Sequence, residues 1–151
     1  MLPAKKILPM NPIHFDHLQR CCLTLERSLQ ILKACEPGSI DYEVARNAVV
    51  KSFELTLETI GKLLRKILKE YTGTPKKVDE LIYKDVLRHS ALHGLLSPEE
   101  LERWFAYRDN RNSTAHDYGV EFAEHTLGLI EVFQKDAQRL TDTLIAKHGN
   151  R

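Results

Sequence analysis

The residues with the most chemical capacity gather late in the chain, in RDNRNSTAHDYG (108–119), where two arginines, two asparagines, a histidine and a tyrosine fall between two helical segments. A guanidinium fork matches two phosphate oxygens, and an imidazole exchanges a proton near neutral pH. Arg111 and His116 together suit metal-free cleavage of RNA. His116 would handle the proton on the 2′-hydroxyl or the leaving oxygen, and Arg111 would hold the charge that builds on phosphorus. On an unbroken helix the five-residue step leaves the two side chains roughly 140° apart, so they would face different ways. Ser113 and Thr114 can each start a new helix, and a kink there would turn both groups toward one cleft. A plainer account also holds. Arg108 and Arg111 continue the inward stripe of the preceding helix, and would then pair with carboxylates such as Glu54 or Glu58, because an unpaired buried charge is costly.

The elements that must position this stretch read as helices throughout. Phe15, Leu18, Cys22, Leu25, Leu29 and Leu32 recur at three- and four-residue steps. Pro37 and Gly38 end that helix. A longer one begins at Ser39 or Asp41, with the seam Val49, Phe53, Leu57, Ile60, Leu64, Ile67 and Tyr71. Leu55, Leu63 and Leu68 lie off the seam, which predicts a helix central to a bundle or part of a dimer interface. After TGTP (72–75) a third helix is expected over 77–92, with Val78, Ile82 and Val86 inward and Gly94 as its stop. SPEE (97–100) holds a cap, a first-turn proline and a capping-box glutamate. The fourth helix turns Leu101, Trp104 and Phe105 inward. A last helix over 120–147 carries Ile130, Phe133, Ala137, Leu140 and Leu144. The expectation is an all-α protein, an antiparallel bundle of four or five helices, with an N-terminal arm over 1–13 and one domain over 14–148.

Composition narrows the function. With 151 residues, 42% of them hydrophobic and 28% charged, the chain can bury a core and is not disordered. A net charge of +1 is low for a dedicated nucleic-acid binder, so any RNA contact must come from a local patch. Cys21, Cys22 and Cys35 lack metal spacing and read as reduced packing thiols of a cytoplasmic protein. No apolar run has the length of a signal peptide or a membrane span. His89 and His93 share a helix face, but no third ligand accompanies them and no metal is expected. Trp104 and Phe105 fit a core or dimer interface better than a base-stacking platform. The basic tinge of LRKILKEY (64–71) reads as a solvated face. There is no glycine-rich phosphate loop, and no cofactor is implied.

The stretch RNSTAHDY resembles the R-x4-H-x-Y signature of the HEPN superfamily, with the polar residue that signature places after the arginine. RNAVVKSFELTLE (46–58) and LHGLLSPEELERWFAYRDNRNSTAHDYG (92–119) are similar to the nucleotidyltransferase substrate-binding proteins of that superfamily, the HepT-like toxin group. The resemblance covers about Phe15 to Leu144. It implies a HEPN-like bundle forming a two-fold homodimer in which the two motifs meet at a shared cleft. It also implies a metal-independent ribonuclease toxin, paired with a cognate minimal nucleotidyltransferase as antitoxin. Carried over by position, Arg111 and His116 are the catalytic pair, Asn112 the supporting polar residue, and Tyr118 the tyrosine the partner modifies with AMP. Arg108 stands beside them as a supporting residue. Gly61 departs from the group, which carries a larger residue in mid-helix.

Three functions follow from these features: a ribonuclease toxin, a non-catalytic substrate-binding subunit of a nucleotidyltransferase, or a structural helical dimer. The first two share the cleft and differ in whether Arg111 and His116 turn RNA over. The third leaves both residues exchangeable.

Overall fold

Ser39 accepts a hydrogen bond from the Tyr42 backbone N–H at 3.1 Å and starts a helix of 31 residues, a rod of about 45 Å. The computed structural model describes residues 13–114 and 120–149. They form α1 (Asp16–Ala34), α2 (Ile40–Glu70), α3 (Pro75–Asp79), α4 (Tyr83–Leu92), α5 (Pro98–Thr114) and α6 (Val120–His148), with no strand among the described residues. The protein is all-helical, as the periodicity predicts.

The long helix is the hub. Val49, Phe53, Leu57, Ile60, Leu64 and Ile67 are fully buried on it, and Leu63 and Leu68 are buried on a second face. Each of the other five helices packs against it. Side-chain pairs fix the directions. Cys22 Sγ meets Thr141 Oγ1 at 3.5 Å, and Lys33 reaches Glu131 at 3.8 Å, so α1 and α6 are antiparallel. Tyr42 donates to Glu124 at 2.9 Å, and Phe53 meets Phe133 edge to face, so α6 runs parallel to α2 across the core. Cys21 and Cys22 are buried free thiols, as the packing reading expects.

Helix ends form where the local chemistry places them. Gly94 adopts φ +77°, a conformation glycine takes without strain, and ends α4. Ser97 and Glu100 close a reciprocal capping box, each accepting from the other's backbone N–H at 3.1 and 3.2 Å.

Two expectations are corrected. The segment 77–92 is not one helix: it divides into α3 and α4, and Ile82 is extended at the break (ψ 161°) and 64% exposed rather than inward. Its carbonyl accepts from the N–H groups of Asp85 and Val86, opening α4 in a new direction. The break lets Val78 stay buried while Tyr83 turns onto α2, which one continuous helix would not allow. Phe105 is also not fully inward. It is half-buried on the α4–α5 seam, with the Lys84 and Arg88 cations 5.7 and 5.0 Å from its ring centre.

A buried carboxylate fixes α5 to α6. Asp136, 2% exposed, accepts two hydrogen bonds from Arg103 at 2.8 and 2.9 Å and a short one from the Tyr107 hydroxyl. Trp104, Tyr107, Phe133 and Phe53 complete an edge-to-face aromatic cluster around it. Burial alone would raise the Asp136 pKa. The Arg103 and Tyr107 hydrogen bonds and the charges of Arg103 and Arg139 outweigh it and hold the carboxyl below its ordinary range. Its stabilisation is therefore complete above that range and is lost as pH falls through the folded-state value. Asp136→Asn should lower the urea midpoint at pH 7 by an amount equivalent to about 1.5–3 kcal/mol. The gap to the parent should narrow below about pH 4. A gap that stays constant with pH would show that the carboxylate charge is not what holds the helices.

Candidate phosphate-binding cleft

Two faces of α5 diverge at residue 107. Tyr107 turns into the core toward Asp136, and the next residue, about 100° further round the helix, turns toward α2 and α4. That residue is Arg108. With Arg111, one turn on, it lines an open cleft of about 270 Å³ between α2, α4 and α5. The α2 wall is Glu54, Glu58, Gly61, Lys62 and Arg65, a largely polar stripe at three- and four-residue spacing that flanks the apolar seam. Tyr83 of α4 closes the third side.

The position of Tyr83 explains Gly61. A β-carbon at 61 would lie 2.5 Å from the Tyr83 ring, so only glycine lets the ring lie against the helix. The Tyr83 hydroxyl donates to the Leu57 carbonyl at 2.6 Å, an acceptor on the preceding turn. Burial pushes the phenol pKa well above its ordinary value although Arg108 and Arg65 act to lower it, so the group stays a neutral donor. The ring also carries the Arg108 guanidinium, 4.7 Å from its centre. Gly61, Tyr83 and Arg108 form one stack. On the α2 wall, Arg65 donates to the Val78 carbonyl at 3.0 Å, Lys62 lies 4.0 Å from Glu58, and Glu54 lies 4.0 Å from Lys51.

The sequence-predicted site is partly assembled here. Arg108 and Arg111 are half-buried in one cleft with Glu54 and Glu58, the carboxylates that the plainer account names. Asn112 falls in the last turn of α5, and His116 and Tyr118 lie outside the described residues. Trp104 is fully buried in the aromatic cluster, which makes it a core residue. His89 and His93 are exposed at the end of α4, with His93 stacked on Tyr71 at 4.4 Å. Among the described residues no group of three or more His, Cys, Asp or Glu is placed to hold a metal, and no helix is long and apolar enough to cross a membrane. Sequence reasoning missed Arg65, Lys62 and Tyr83. The polar stripe through residues 54, 58, 61, 62 and 65 was the available signal for the first two. Tyr83 carries no local signal, because the break before α4 brings it to the cleft.

A long hub helix with a polar stripe, faced by an arginine-bearing helix end, defines a helical bundle with one charged cleft at its side. The family model described as nucleotidyltransferase substrate binding protein like matches residues 13–146, and the chain belongs to this family. Among its relatives, the probable ribonuclease HepT of Haemophilus influenzae is 28% identical over 109 residues, covering 72% of this chain and 73% of the relative. The solved structure of HI0074 from the same organism superposes with a TM-score of 0.76 and 25% identity, over 87% of this chain and 98% of that one. It is described as the fold of a substrate binding domain of a nucleotidyltransferase.

Gly61→Ala should test the stack. Alanine gains about 1 kcal/mol in a helix interior. Overpacking against the Tyr83 ring should exceed this, for a net loss of about 1–2 kcal/mol by urea unfolding. Adding Tyr83→Ala should cost less in that background than in the parent, since the clash is then already relieved. Full additivity would mean that the two positions do not meet.

Proposed function

We propose that this protein is a HEPN-type toxin, a metal-independent endoribonuclease of a toxin–antitoxin pair, silenced by a cognate minimal nucleotidyltransferase that modifies Tyr118. The observation that carries this is the convergence of Arg108 and Arg111 in one cleft, on the helix end that leads directly into His116 and Tyr118. Arg111 binds the scissile phosphate and stabilises the charge that develops on it, with Asn112 supporting it. His116 takes the proton from the 2′-hydroxyl or returns one to the leaving oxygen. An AMP unit on Tyr118, two residues beyond His116, would place a bulky anion where the substrate phosphate must sit. A two-fold homodimer brings two such motifs to a shared cleft. The relative named a probable ribonuclease supports cleavage as the activity.

The accessory reading, a non-catalytic substrate-binding subunit of a nucleotidyltransferase, has its own support. Glu54 and Glu58 line the same cleft and offset part of its positive charge, and the similar solved structure is described as a substrate binding domain.

Purified protein whose intact mass shows Tyr118 unmodified should cleave RNA in excess EDTA. Arg111→Ala and His116→Ala should each lower the rate by about 100-fold or more. Incubation with the partner nucleotidyltransferase and ATP should add adenylyl mass to the parent and not to Tyr118→Phe, with cleavage falling in parallel. No cleavage by the unmodified parent would replace the toxin reading with the accessory one.

A further inference from the structure

Four basic side chains face two carboxylates in the cleft, and their commitments differ. Glu58 has Lys62 at 4.0 Å, and Glu54 has Lys51 at the same distance. Arg65 spends one N–H on the Val78 carbonyl and has no ion pair among the described residues. Arg108 has neither an ion pair nor a hydrogen bond among the described residues; what holds it is the Tyr83 ring. A half-buried guanidinium laid on an aromatic face keeps its N–H edge free to receive an oxyanion, and stacking fixes its plane beforehand. Its seat is specific: Gly61 admits the ring, and the hydroxyl bond to Leu57 sets the ring's position.

We propose that Arg108 and Arg65 form a second phosphate subsite, distinct from the position at Arg111, which holds the phosphate one nucleotide away from the scissile one. The inference rests on the reading of Arg111 as a phosphate-binding residue and extends it along the strand. Side chains three apart on a helix have Cβ atoms about 5–6 Å apart, comparable with the separation of successive phosphates in a nucleic-acid chain. The ligand is therefore a single-stranded RNA segment read through its backbone. A cleft of about 270 Å³ suits one nucleotide unit rather than a duplex groove. Tyr83 is a positioning residue: it acts through Arg108 and does not itself take the phosphate.

The test uses 2′-O-methyl dinucleotides, which cannot be cut through a 2′-hydroxyl, titrated into the full chain by calorimetry. One carries only its phosphodiester; the others add a 5′- or a 3′-phosphate. One added phosphate should tighten binding about tenfold, the scale of a single charge-assisted contact. Arg108→Ala should erase that gain, so that the dinucleotides with and without the added phosphate bind alike. Arg108→Gln, which keeps the bulk, should do the same, and this guards against a misfolded alanine variant. Tyr83→Phe should retain the gain because the ring remains, whereas Tyr83→Leu should lose most of it. A gain that survives Arg108→Gln, or no gain at either end, overturns the subsite. Cleavage of long RNA in EDTA, measured on the same preparation, separates the two claims. Cleavage without a phosphate gain overturns the subsite alone; neither cleavage nor binding of any dinucleotide overturns the reading beneath it as well.

Discussion

One helix has to satisfy five neighbours. α2 is contacted by every other helix among the described residues, so most of its circumference must be apolar. One side strip stays polar, running through Glu54, Glu58, Lys62 and Arg65, and Tyr83 of α4 and the end of α5 face it across the cleft. The cleft sits where it does because that strip flanks the buried seam on the side where α4 and α5 approach. Burying Phe53, Leu57, Ile60 and Leu64 fixes the rotation of the rod. The same rotation presents the charged strip to the end of α5, so core packing and site placement are one decision taken twice along the same residues.

The end of α5 is held to comparable tolerance from the opposite side. Asp136 draws in Arg103 and Tyr107, and once Tyr107 is seated the direction of Arg108 follows from helix geometry. The carboxylate therefore contributes to the site without touching it. Its burial is tolerable because four hydrogen bonds, from Arg103, Tyr107 and Arg139, and two guanidinium charges surround it, which is the condition under which buried ions persist. The Trp104 indole N–H, by contrast, is buried without an acceptor among the described residues, and the aromatic cluster around it offsets that loss.

Much of this is written locally. Ser39, the Ser97–Glu100 pair and Gly94 mark helix ends through contacts made within a few residues, and the seam of α2 follows from periodicity. What escapes local reading depends on tertiary partners. Ile82 has the type and spacing of a core residue, yet it is exposed because Val78 and Tyr83 both reach α2 only if the chain breaks between them. Asp136 reads as one more charge on an amphipathic helix until Arg103, 33 residues earlier, is found beside it. In the site, Arg111 and Arg108 stand out by residue type and register. Tyr83 has no register with them, and Gly61 reads as a weak point in a helix until the ring that occupies its missing side chain is seen.

That exchange of volume has an evolutionary consequence. Positions 61 and 83 share one space, so their sizes cannot drift separately: a lineage with a bulkier residue at 61 must shrink or redirect the one at 83. Such a chain would also lose the aromatic seat beneath residue 108, and a guanidinium there would need a different support or would cease to be selected. The three positions should therefore change together down a family tree, as a linked set of glycine, aromatic ring and arginine that divides the family into members that keep the stack and members that do not.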